Sequence, residues 1–233
     1  VSLGSVAHAA RPVAQWDVVP DQRISAPFKV GVVAFHPEGV KVEFRVNGTL
    51  IATAADPTLN DRTGVWEYWF TFDPSGYTDG AVAIDARAIC LNGTDPDYDL
   101  PSLTLYANSG GSLDEPTVKW ADAVNGSDAN SGTESQPYQT LAKAVRNTPA
   151  GGTVYLKAGT YSPDGLKAGL TRPYWTTIAA ADGLGWDDVE LSNGRPKTER
   201  LRLRNVSVFT TNTSGSYTAI LNGENGSTVI WLD

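Results

Sequence analysis

Hydrophobic and polar residues alternate with a period of two through most of this chain. Phe28, Val30, Val32 and Ala34 alternate along one run, and Val42, Phe44 and Val46 along the next, with Lys41, Glu43 and Arg45 on the opposite face. Asn47 and Gly48 then form a tight-hairpin signal leading into Leu50, Ile51 and Ala52. Residues 65–72 place Trp66, Tyr68, Phe70 and Phe72 on one face and Val65, Glu67, Trp69 and Thr71 on the other, which strands Trp69 on the polar side. Val82, Ile84, Ala86 and Ala88 alternate with Asp85 and Arg87, and residues 103–106 supply a closing strand. Short strands at turn-punctuated intervals predict a β-sandwich over residues 16–107.

The pattern changes after residue 107. Residues 108–116 are Gly/Ser-rich and read as a linker, and a strand is expected at 117–121. Residues 125–136 are dense in Asn, Asp, Ser and Gly, which hydrogen-bond their own turns or tolerate left-handed backbone. Leu141, Ala144 and Val145 fall at i, i+3 and i+4 with Thr140 as N-cap, predicting one short amphipathic helix that Pro149, Gly151 and Gly152 end. Strands are then expected at 153–157, 174–179, 188–191, 201–208, 218–221 and 228–232. A helix ahead of short strands at this spacing predicts a solenoid whose first coil the helix covers. With roughly 20–30 residues per repeat, the chain after Gly152 holds about three coils. A solenoid needs a cap at each end. Residues 117–233 are therefore expected to be the N-terminal coils of a longer solenoid, or to have their C-terminal face covered by self-association or by another chain.

Composition narrows the partners. The formal net charge of −8 disfavours nucleic acid and anionic membrane, both of which need a basic footprint. No run approaches the roughly 18 apolar residues of a membrane span. Cys90 is the single cysteine, which excludes an intrachain disulfide; it reads as a small buried hydrophobe near a strand end. The chain has no methionine, so Val1 is not a translation start, and Val6, Ala7, Ala9 and Ala10 resemble the small-residue end of a secretory signal. Residues 1–15 are read as a leader remnant, and the expected location is secreted or at the surface of a bacterial cell.

Three spaced elements carry a family resemblance. Asp128, Asn130, Gly132 and Thr133 form the first; Pro137, Tyr138, Thr140, Leu141 and Ala144 the second; Gly152, Thr153, Val154, Tyr155, Leu156, Gly159 and Tyr161 the third. In this order they resemble the opening segment of the secreted right-handed parallel β-helix proteins, which include pectate-lyase-like and other polysaccharide-active members. The first part of the chain resembles the immunoglobulin-like modules that precede such solenoids in secreted bacterial proteins, without the paired cysteines of antibody domains. The resemblance implies an all-β chain: an immunoglobulin-like β-sandwich, then the start of a right-handed parallel β-helix with a short N-terminal capping helix. The function it implies is polysaccharide binding or processing. The alternative is a non-catalytic surface or assembly protein that uses the immunoglobulin-like domain and the open solenoid end for chain–chain contacts.

Lyases of this fold, as the resemblance implies, hold Ca²⁺ with carboxylates on successive coils and use a Lys or Arg base. Lys157, Arg172 and Lys197 are available bases, and Asp164, Asp182, Asp187, Asp188 and Glu190 available carboxylates, with no lyase motif around any pair. No catalytic residue is assigned. Arg200, Arg202 and Arg204 alternate around Leu201 and Leu203, so three guanidiniums face out from one strand, suited to a sulfated or carboxylated glycan. A solvated strand face paired with acids on neighbouring coils explains the same pattern. Trp69, Trp175 and Trp186 are the candidate stacking platforms for sugar rings, with packing between domains the other reading of Trp69. Asp128 and Asn130 have the alternating oxygen spacing of a Ca²⁺ loop, or of an Asx-rich turn.

Overall fold

The computed structural model describes residues 11–61, 63–162, 172–185, 187–192, 200–208 and 230–232. The protein is mostly β, with several sheets. It divides into two compact units between Leu113 and Asp114.

The first unit contains β1 (Val13–Trp16), β2 (Arg23–Ile24), β3 (Phe28–Phe35), β4 (Val40–Val46), β5 (Thr49–Ala54), β6 (Thr58–Asn60), β7 (Val65–Phe72), β8 (Gly80–Cys90), β9 (Tyr98–Asp99) and β10 (Leu103–Ala107). One sheet runs β1-β3-β7-β6; the other runs β2-β10-β8-β4-β5, with β9 added to β8. Alternation dictates which side chains meet. Val40, Val42, Phe44 and Val46 of β4 are buried while Lys41, Glu43 and Arg45 are half-buried on the other face. Asn47 and Gly48, both at positive φ, turn the chain into β5. The apolar faces of the two sheets close on one core, in which the rings of Phe44 and Phe70 stand 4.9 Å apart. Burying each such side chain contributes about 1.5–3 kcal/mol.

Several expectations are corrected in this unit. β1 pairs with β3, and Ala14 and Trp16 pack against the core, so residues 13–15 form part of the first sheet. Trp66, expected inside, is 60 % exposed; it sits at the end of β7 that pairs with the three-residue β6 and lies beyond the register with β3. Glu67, expected in solvent, is buried. Residues 108–113 are a tied loop: the Asp79 carboxylate accepts from the amides of Gly110 at 3.0 Å and Ser112 at 2.8 Å, and Asn108 Oδ1 accepts from Leu113 at 2.8 Å.

The second unit contains β11 (Val118–Ala121), α1 (Leu141–Arg146), β12 (Thr153–Leu156), β13 (Gly159–Tyr161), β14 (Thr176–Ala180), β15 (Val189–Leu191), β16 (Leu201–Arg204), β17 (Ser207–Val208) and β18 (Ile230–Leu232). Strands after α1 alternate between two parallel sheets, β11-β12-β14-β16-β18 and β13-β15-β17. Val154, Ile178, Leu203 and Leu232 are successive register partners, at intervals of roughly 25 residues. The predicted strand at 201–208 is two strands, in different sheets. Asn205 breaks it with φ 53°, a left-handed conformation that Asn tolerates. The strand expected at 218–221 lies outside the described residues.

Leu141, Ala144 and Val145 of α1 are buried against the same core as Val154, Leu156 and Ile178. The Asn-rich loop covers the free edge of β11: the Trp120 amide donates to Gly132 and the Trp120 carbonyl accepts from Tyr138, both at 2.9 Å. An edge strand would otherwise present unpaired backbone groups, so the loop is an edge cover. Gly126 and Gly132 permit this closure, since a Cβ at either would overlap Tyr138.

Candidate functional site

Parallel registry places side chains of equal parity in rows that cross the strands. On the face of the five-stranded sheet turned away from Val154 and Ile178, one row runs Trp120, Tyr155, Ala179, Arg204 through β11, β12, β14 and β16, with Ala179 fully buried between Tyr155 and Arg204. The adjacent row runs Val118, Thr153, Thr177, Arg202, with Trp231 of β18 as the next register partner. Neighbouring strands lie about 4.8 Å apart, so the guanidinium end of the first row begins about 10 Å from Tyr155. The rings of Trp120 and Tyr155 stand 5.0 Å apart at 32°, within the range of a favourable aromatic pair, and both are half-buried. Arg202 is half-buried and Arg204 exposed. Neither row contains an acidic residue.

This arrangement retains part of the predicted arginine stripe. Arg202 and Arg204 leave the outer face of β16 as expected. Arg200 does not join them: it precedes the strand at φ 54° and donates through Nη1 to the Arg172 carbonyl at 2.6 Å. Arg172, an available base in the sequence reading, is 4 % exposed and spends its guanidinium on Thr148 O (2.7 Å), Val145 O (2.8 Å) and Thr176 Oγ1 (2.9 Å). Burial pushes its pKa down from the ordinary arginine value.

The tryptophan candidates also separate. Trp175 is 7 % exposed and offers no open face for a sugar. Trp186 lies outside the described residues. Trp69 is half-buried on the outer face of β7, and the Lys29 ammonium sits 3.4 Å from its ring centroid, so a cation already occupies one side of the platform. Trp120 and Tyr155 were missed as a pair. Each looks unremarkable in its own strand, and only the parallel register of β11 on β12 makes them neighbours.

Asp128 and Asn130 are engaged within the loop. Asp128 accepts from Gln139 N at 3.0 Å, Thr140 N at 2.9 Å and Thr140 Oγ1 at 2.8 Å, and Asn130 Nδ2 donates to Pro137 O at 2.9 Å. These bonds, 11 and 12 residues along the chain from Asp128, fasten the loop to the start of α1. Among the described residues no group of three or more His, Cys, Asp or Glu side chains is placed to hold a metal. Of the other carboxylates, Glu190 accepts from Thr160 Oγ1 at 3.1 Å and Asp188 from Gly185 N at 2.7 Å.

Beside the loop, Asp122 Oδ1 accepts from Asn125 N at 2.8 Å and Val124 N at 3.0 Å. Burial pushes this carboxyl up, but the two amides, the Asn125 side chain and the nearby Lys157 cation outweigh it, holding the group below the usual carboxylate range. Tyr161 is buried next to it. Its hydroxyl shares its proton between Lys157 O at 2.8 Å and Ala121 O at 3.0 Å and accepts from Ala123 N at 3.3 Å. Burial is the main reason its pKa is raised to about 12.

A mostly β protein with several sheets is the class that these elements define. A family described as "Protein of unknown function (DUF1565)", one associated with β-helix-like proteins, matches residues 124–167, the loop, helix and first strands of the second unit. Comparison with curated proteins gives no match. Among solved structures, an engineered protein from a structural-genomics programme matches at 20 % identity with a TM-score of 0.29, over 42 % of this chain and 20 % of its own.

Proposed function

We propose that the first unit is an immunoglobulin-like β-sandwich, that the second is the opening of a right-handed parallel β-helix, and that the protein is a secreted polysaccharide-binding protein. The observation that carries the binding reading is the register of the outer face, which lines up Trp120 and Tyr155 with Arg204 and runs Thr153 and Thr177 alongside them to Arg202. Aromatic rings stack on the apolar faces of pyranoses, hydroxyls exchange hydrogen bonds with theirs, and guanidiniums fork onto carboxylate or sulfate. The strand spacing of about 4.8 Å is comparable to the length of one sugar residue, so a chain lying across the strands would meet β14 at half-buried Thr177, Ala179 being buried. Affinity electrophoresis against acidic and neutral polysaccharides tests this reading. Retardation by uronans or sulfated glycans and free passage through neutral glucans supports it; free passage through all of them overturns it.

A second reading, self-association through the first unit, rests on Val13 and Phe35. They are cross-strand partners on the outer face of that unit, 75 % and 67 % exposed. Sedimentation of wild type against Phe35→Ser separates the readings: a dimer that the substitution dissolves favours assembly, and a monomer in both removes it.

A further inference from the structure

Among the described residues, the sheets of the first unit end in β1 and β6 on one side of the core and in β2 and β5 on the other, with β9 beside β8. Strands at a sheet edge offer unpaired N–H and C=O groups to any extended chain, and proteins blunt such edges with shortness, charge or proline. Four of these five strands are blunted. β1 has four residues between Pro12 and Asp17, β6 has three residues, and β2 and β9 have two each and carry Arg23 and Asp99. β5 is not: Thr49–Ala54 is six residues without charge or proline, and Thr49, Leu50, Ile51 and Thr53 are exposed. No described strand pairs with its outer edge.

The hairpin accounts for the apolar surface shown there. Arg45 pairs with Leu50 and Phe44 with Ala52, so Ile51 is the extra residue of a bulge, and Leu50 and Ile51 are exposed side by side, at 49 % and 48 %. Past the bulge, residues 52–54 keep unbroken register with 42–44. Ala52 and Ala54 pack against the core, and by alternation Ile51 and Thr53 stand on the opposite face.

Charge selects the occupant of this edge. The chain carries a net charge of −8, so two copies repel over most of their surface. Residues 46–55 contain no charged side chain, and the charged register partners of β5 on β4, Arg45 and Glu43, pair with each other at 2.7 Å. An antiparallel pairing of β5 with β5 about a two-fold axis brings residues of equal parity together. Centred on Ala52, it sets Ile51 against Thr53 of the second copy, two β-branched residues, and opposes no like charges.

We propose that β5 is a self-pairing edge that joins the second sheet of one copy of this chain to the second sheet of another, antiparallel and across a two-fold axis. The inference goes beyond glycan binding. It also uses a different surface from Val13 and Phe35, which lie on β1 and β3 of the other sheet.

Sedimentation equilibrium of the full chain over a range of concentrations tests the pairing. Wild type is expected to dimerise, with amide exchange within β5 slowing as concentration rises. Ile51→Lys and Thr53→Lys, at exposed positions, set a lysine on each side of the axis and should each weaken the dimer at least about tenfold. An unchanged melting temperature of the diluted protein shows that each variant still folds. Phe35→Ser should leave the dimer intact. A wild-type monomer at every concentration, a dimer that either lysine variant keeps undiminished, or one that Phe35→Ser dissolves overturns the proposal.

Discussion

Arg172 Nη2 donates to the carbonyl oxygen of Val145 at 2.8 Å, so the helix that covers the core of the second unit is finished by a side chain from the next coil. Helix C-termini leave carbonyls unpaired, and a cation there satisfies both hydrogen bonding and the helix dipole. The same guanidinium reaches Thr148 O at 2.7 Å, and the backbone of Arg172 in turn accepts from Arg200. Arg172→Met should destabilise the second unit by about 2–4 kcal/mol, since buried acceptors lose a charged donor. Arg172→Lys should recover only part of this, because an ammonium does not span the fork. Urea unfolding followed by tryptophan fluorescence gives both values.

Tyr161 joins three backbone segments through one hydroxyl. Tyr161→Phe leaves Ala123 N without that acceptor and removes the donor to Lys157 O and Ala121 O, at a cost of about 1–3 kcal/mol. The pH dependence has a definite sign. The folded pKa is about 12 against 10.0 for the free side chain, so the stability carried by the neutral phenol is present below 10.0 and lost as pH rises toward about 12. Ultraviolet titration should show one tyrosine ionising near 12 in wild type and missing from Tyr161→Phe.

Much of the framework was legible because its causes are local. Alternation in Val40–Val46, the Asn47-Gly48 turn and the Thr140 cap with Leu141, Ala144 and Val145 each act within a few residues, and the structure shows them where those residues stand. What was not legible depends on registry. Glu67 reads as a solvent-facing residue until β3 places side-chain-free Gly31 beside it, and Arg200 reads as the third arginine of a stripe until its positive φ turns it away. Short strands such as β1 and β6 carry too few residues for their alternation to stand out, and they exist because a longer neighbour pairs with them.

Asp128 fastens the edge-covering loop with three accepted hydrogen bonds. Asp128→Ala should lower stability by about 1–3 kcal/mol. Millimolar Ca²⁺ should leave the melting temperature of wild type unchanged, whereas a bound ion would raise it by mass action. Differential scanning fluorimetry with and without Ca²⁺ or chelator checks both.

The outer face of the five-stranded sheet carries the functional reading. Its most direct test is isothermal titration of the acidic polysaccharide that retards the protein most, into wild type, Tyr155→Ala and the double variant Arg202→Ala/Arg204→Ala, each shown to be folded by circular dichroism. The account predicts saturable binding by wild type, at least about tenfold weaker for Tyr155→Ala, equivalent to about 1.4 kcal/mol, and a flattened salt dependence for the arginine variant. Equal affinity and equal salt dependence in all three proteins would contradict it.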